Sequence, residues 1–135
     1  MFCCKQKREN LYFDMLIQTL QLLAASYVEQ VQAFPTFVHI PDEVALVFSD
    51  TWLFSQKLIM DGFITHQQKV EIERLDNLLN EMSDNIQLWN LFSLETSDEW
   101  GKVRYLASNI LTSLHKEKEQ PNLFWLKYIS QDNER

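Results

Sequence analysis

Three histidines, two cysteines and nineteen carboxylates are the side chains through which this chain could hold a metal or move a proton. His39, His66 and His115 stand in three separate segments, and none falls in the HxxxH, HExxH or ExxH spacing that puts two ligands on one helix face. Glu71 and Glu73, like Asp98 and Glu99, are acidic neighbours. Residues one or two apart point from different sides of a helix, so these pairs do not converge on a shared ion. The run DNLLNE (76–81) lacks the glycine turn and the alternating aspartates of an EF-hand loop. Ser26, Ser49 and Ser55 have neither a GxSxG context nor a local base. With Gly62 and Gly101 as the two glycines, no Gly-rich phosphate loop can be built. The expectation is a protein that is not an enzyme and uses no catalytic residue, metal or cofactor.

Helices must carry these side chains. The chain has 135 residues, 46% of them apolar, enough for one conventional core. Few glycines and prolines argue against a many-stranded fold. From Asn10 to about Phe34, apolar residues recur by three and four, including Phe13, Leu16, Leu20, Leu23, Tyr27 and Val31, which predicts one long helix ended by Pro35. Pro41-Asp42-Glu43 reads as the first turn of a second helix, and Asp61-Gly62 as its end. Thr65 and Gln68 have capping-box spacing and open a third helix that reaches Met82. Its acids Glu73, Asp76 and Asp84 are expected opposite the core. The stretch Asp84 to Thr96 is less periodic. Thr96 and Glu99 suggest a further box before the helix of Trp100, Val103, Leu106, Ile110 and Leu114. Beyond Pro121, NLFWLKYI (122–129) reads as a short helix or an extended clamp. The prediction is an all-α single-domain bundle of about five or six helices. Residues 1–8 are read as a basic N-terminal tail, 9–130 as the helical domain and 131–135 as a polar tail.

Charge narrows the partner. The net charge of −7 is unevenly spread: residues 9–99 hold fifteen acids against three bases, Lys57, Lys69 and Arg74. Such a body repels phosphate backbones, so direct nucleic-acid binding is not expected. It attracts a basic protein surface, although the same charge would serve solubility. The adjacent Cys3 and Cys4 leave the core without a disulfide, which fits a reducing cytoplasm. Followed by Lys5, Lys7 and Arg8, they would also suit an acylated basic anchor, but Phe2 stands where myristoylation requires glycine. No run is long and apolar enough to span a bilayer, and a membrane partner is not expected. Trp52, Trp89, Trp100 and Trp125 admit two readings, core packing or an exposed anchor for a partner.

The strings LDNLLNEMS (75–83) and SDEWGKVRYLASNIL (97–111) are joined by an apolar connection containing Trp89 and preceded by DEVALVFSD (42–50) and DGFIT (61–65). Together they resemble small helical immunity proteins of bacterial polymorphic toxin systems, including contact-dependent growth inhibition. The resemblance covers about 42–114. It implies a cytoplasmic protein without chemistry of its own that binds a cognate toxin domain and blocks its active site or substrate groove. Toxin contacts vary within such families, so no single contact carries over. A nuclease toxin must hold a polyanion and should itself be basic. The charged contacts expected here are Asp42, Glu43, Asp50, Glu73, Asp76 and Asp84, with Trp89 as the aromatic anchor. A helical adaptor that binds a partner through an apolar groove is the other function class these residues admit.

Overall fold

The computed structural model describes residues 2–126, with side chains from Leu11 onward. Among the described residues there are seven α-helices, one 3-10 turn and no strand: α1 (Phe2–Ala24), α2 (Tyr27–Gln32), α3 (Ile40–Trp52), α4 (Ser55–Met60), α5 (His66–Met82), the 3-10 turn Ile86–Leu88, α6 (Leu91–Thr96) and α7 (Asp98–Ser113). The fold is all-α and single-domain, as the periodicity predicts. The segment read as a basic tail continues α1 backward to Phe2. The polar tail 131–135 lies outside the described residues.

Two expected helices are each broken in two. Ser26 adopts an extended backbone (φ −65°, ψ 162°) and caps α2: its Oγ accepts from the Glu29 N–H at 3.2 Å, while Glu29 Oε1 accepts from the Ser26 N–H at 3.1 Å. The break shifts the apolar phase, so Val28 faces water. Gln30 is fully buried and closes the joint by donating Nε2–H at 3.1 Å to the Leu22 carbonyl, which also accepts from the Ala25 N–H at the end of α1. The second break falls at Leu53-Phe54, between α3 and α4. There the Ser55 hydroxyl donates to the Trp52 carbonyl at 2.7 Å and so competes with continued helix.

α1 is the central rod. It lies against both α3 and α7, and α5 packs in turn on α7. From Leu16 to Ala24 every α1 residue except Gln18 is buried, as expected of a helix covered on more than one side. Each such leucine contributes roughly 1.5–3 kcal/mol by leaving water. Buried polar groups on this rod are paired. Thr19 and Thr51 share a hydroxyl–hydroxyl bond of 3.0 Å between α1 and α3. Gln21 donates to the Glu117 carbonyl at 2.7 Å and accepts from the Glu119 N–H at 2.6 Å; one turn earlier Gln18 accepts from the Asn122 N–H at 2.8 Å. These two glutamines hold residues 117–122 along α1. Leu123, Trp125 and Leu126 then pack against the core. Of the two readings for the C-terminal segment, the extended clamp holds through residue 126, and residues 127–129 lie outside the described residues.

Arg104 ties three elements together. Its Nε donates to the Ala25 carbonyl at 3.2 Å, and its Nη2 donates to Gln30 Oε1 at 2.9 Å and to the Leu94 carbonyl. The cation thus rests on carbonyls from the C-terminal ends of α1 and α6, where the helix dipoles are negative. Partial burial lowers its pKa from the ordinary arginine value by desolvation.

The expected caps are found, with one displaced. Gly62 takes the left-handed conformation (φ 82°) after α4, and Phe63 N–H reaches the Leu58 carbonyl at 2.9 Å, closing a Schellman turn. The Thr65–Gln68 box is formed, and the Gln68 amide also reaches Ser113 at the end of α7. The cap of α7 is Ser97 rather than Thr96: Ser97 Oγ accepts from the Trp100 N–H, while the Thr96 hydroxyl turns back to the Phe92 carbonyl.

Candidate functional site

Three of the acids expected to meet a partner lie on α3, and the spacing of that helix gathers them around one leucine. Asp42 and Glu43 stand four and three residues before Leu46, and Asp50 four after it. All three are therefore its neighbours on the helix surface. The Leu46 side chain is 53% exposed, an apolar group on the solvent side of an otherwise amphipathic helix. Asp42 accepts a short 2.6 Å contact from His39 Nδ1 at the rim, with both side chains half in water.

Leu46 also forms one wall of an open groove of about 690 Å³. His39, Asp42 and Ala45 complete that wall; Ser83, Ile86 and Trp89 form the other, where the end of α5 meets the 3-10 turn. Ile86 is 85% exposed. Asp84, also exposed, directly follows Ser83. The structure thus brings Asp42 and Trp89 into one cavity, while Glu43 and Asp50 neighbour its lining residue Leu46 and Asp84 follows its lining residue Ser83.

Trp89 is no freely swinging anchor. Its indole N–H donates to the Met82 carbonyl at 2.9 Å, satisfying the C-terminal end of α5, and its ring is partly buried. Trp100, fully buried, donates its own N–H to the Leu88 carbonyl at 2.8 Å. Core packing and groove wall are therefore combined in one residue.

Glu73 and Asp76 sit apart. They are ten and seven residues before Ser83, roughly 10–15 Å up the same helix. Neither stands clear of the core: both are half-buried, Asp76 by enough that desolvation, with help from Glu73, raises its carboxyl pKa above the ordinary 3.8. This corrects the expectation that the acids of this helix all lie opposite the core, because Asp76 falls at the edge of the stripe made by Ile72, Leu75 and Leu79. Glu73 is further engaged by Lys69, at 2.9 Å.

The electrostatics of the groove follow from the sequence that forms it. Neither Glu9–Gln56 nor Leu75–Gly101 contains a lysine or arginine, and every residue lining the groove comes from these two stretches. Of the three bases within residues 9–99, Lys57 and Lys69 are paired with Asp61 and Glu73 one turn on. The groove is lined by one carboxylate, Asp42, paired with His39, and by apolar surface, with no lysine or arginine among the lining residues. Among the described residues, no three His, Cys, Asp or Glu side chains gather as a metal site would require. No described helix is long and apolar enough to cross a membrane.

Sequence reasoning missed Leu46 and Ile86. The signal for Leu46 was present: it falls out of phase with Val44, Val47 and Phe48, the buried residues of α3. Comparison with protein-family models, curated proteins and solved structures gives no match.

Proposed function

We propose that this chain is an immunity protein, which binds a cognate toxin domain in the cytoplasm and neutralises it by covering the active site or substrate groove. The observation that carries the reading is the face around Leu46, where an exposed apolar side chain is surrounded by Asp42, Glu43 and Asp50 beside a groove whose lining includes no lysine or arginine. A surface of this kind complements a basic protein. A nuclease toxin must be basic where it holds its substrate, so a nuclease is the toxin class the charge favours. In this reading the chain transforms nothing itself and takes no cofactor. The resemblance of residues 42–114 to helical immunity proteins supports the same conclusion.

The test is co-expression. A small basic domain encoded at the end of the neighbouring upstream reading frame should arrest growth when produced inside the cell, and this chain should restore growth. A domain that remains toxic and does not bind the purified chain overturns the reading.

The open groove also favours a second reading, a helical adaptor that grips an apolar partner segment. Charge decides between them. Replacing Asp42, Glu43 and Asp50 by their amides should weaken toxin binding by about tenfold or more, whereas an adaptor would tolerate the change.

A further inference from the structure

We infer that the groove between α3 and the α5–α6 connection is the docking site for one segment of a partner protein, in which a large apolar side chain is flanked by lysines or arginines. This rests on the immunity reading for the partner's identity but not for its chemistry. The groove is open and about 690 Å³ in volume, room for a few side chains of a partner segment. The apolar part is met by Ala45, Leu46, Ile86 and Trp89. Leu46 and Ile86 are largely exposed on opposite walls, so an inserted side chain would be clasped between them and would remove both from water. Trp89 provides a rigid wall, because its N–H and its ring are already committed to Met82 and Trp100. A preformed wall reduces the ordering cost of association.

The flanking charge is fixed by the collar. Asp42, Glu43 and Asp50 lie around Leu46, and Asp84 lies next to Ser83, with no lysine or arginine in either contributing stretch. The same face of a second copy would bring acids against acids, and an anionic lipid surface would meet the same repulsion. A cationic segment gains from both parts of the site.

Three short synthetic amphipathic peptides with one leucine face, and with lysine, glutamine or glutamate on the polar face, test this on the full chain. The lysine peptide should bind about tenfold more tightly than the glutamine peptide, and the glutamate peptide should bind more weakly still. Amide shifts on titration should centre on Ala45, Leu46, Ser83 and Ile86. Leu46→Arg and Ile86→Arg, both at exposed positions that leave the core intact, should each weaken the lysine peptide by about tenfold or more. Met60→Arg, exposed on α4 away from the groove, should leave it unchanged. Equal binding of the lysine and glutamine peptides overturns the inference. So does an equal loss in Met60→Arg, or a dimer of the chain that Leu46→Arg dissociates. If the peptide fails while growth rescue by co-expression holds, the groove assignment falls and the immunity reading stands. If the peptide binds as expected and no rescue occurs, the reverse follows.

Discussion

The Trp89 indole stands edge-on to that of Trp100, ring centroids 5.3 Å apart and planes at 80°, and their N–H groups bond the Met82 carbonyl at the end of α5 and the Leu88 carbonyl in the connection to α6. The pair fixes the path of residues 82–89 and hence one wall of the groove. Trp89→Phe keeps the ring but removes one of the two hydrogen bonds on the Met82 carbonyl, which still accepts from the Asn85 N–H, at a cost of about 0.5–1 kcal/mol. Trp89→Ala also opens space against Trp100 and should cost about 2–4 kcal/mol. Urea denaturation of the two variants checks the order. A loss of partner binding in Trp89→Ala means a lost contact only if Trp89→Phe, with its wall intact, still binds.

Gln21 holds the C-terminal clamp through both ends of its amide. Gln21→Leu preserves the volume but leaves the Glu117 carbonyl and Glu119 N–H without their partner. The expected cost is about 1–3 kcal/mol. Limited proteolysis should show faster cleavage between residues 117 and 122, where the backbone loses its attachment to α1. An unchanged cleavage pattern would mean that Leu123, Trp125 and Leu126 hold the clamp without the glutamine.

His115 follows α7 with φ 61°, a left-handed conformation that costs a residue with a Cβ roughly 1–2 kcal/mol. Its N–H bonds the Thr112 carbonyl and that of Lys116 reaches Leu111, completing a Schellman turn that glycine would form without strain. His115→Gly should therefore gain about 0.5–1 kcal/mol, the relief of strain being offset in part by the greater freedom of unfolded glycine. Thermal denaturation reads the gain directly.

Local signals were legible where a single turn settles them. Gly62 after α4 and the Thr65–Gln68 box are both read correctly from a few residues. The Ser26–Glu29 box has the same form as the second of these, yet it sits inside a run whose apolar spacing continues through Tyr27 and Val31, and periodicity concealed the break. What makes the break stable is tertiary. Gln30 is buried between the end of α1 and Arg104, a residue 74 positions further on. The candidate site divides the same way. The grouping of Asp42, Glu43 and Asp50 around Leu46 follows from helical spacing alone. The meeting of that face with Ser83, Ile86 and Trp89 depends on how α1 and α7 set the bundle, which no local pattern encodes.

Asp76 gives a pH signature. Burial, and secondarily Glu73, raises its folded carboxyl pKa above 3.8. The folded chain then holds this proton more firmly than the unfolded chain, so the ionised carboxylate opposes folding at neutral pH. That penalty fades as the pH falls through the folded value and vanishes below about 3.8, where both states are protonated. Asp76→Asn should accordingly melt higher than the native chain at about pH 7, and the difference should close as the pH approaches 3.8. A difference that stays constant over this range would show that the titration of Asp76 is not its source.

The proposed function makes a kinetic prediction. Steering by the acid collar acts over the distance that salt leaves unscreened, roughly 20 Å at about 20 mM and about 4 Å at about 500 mM. The association rate with a basic toxin domain should fall by about tenfold or more between these conditions, while the dissociation rate, governed by the apolar contact at Leu46 and Ile86, should change far less. Converting Asp42, Glu43 and Asp50 to amides should lower the association rate at low salt and flatten its salt dependence. Leu46→Arg should act mainly on dissociation, because it removes the apolar contact, although its added cation will also slow the approach of a basic domain. Stopped-flow mixing at the two salt concentrations separates these effects. Equal association rates at both concentrations would mean that the negative charge of this face plays no part in recognition, and the partner would then have to be sought by its fit to the groove alone.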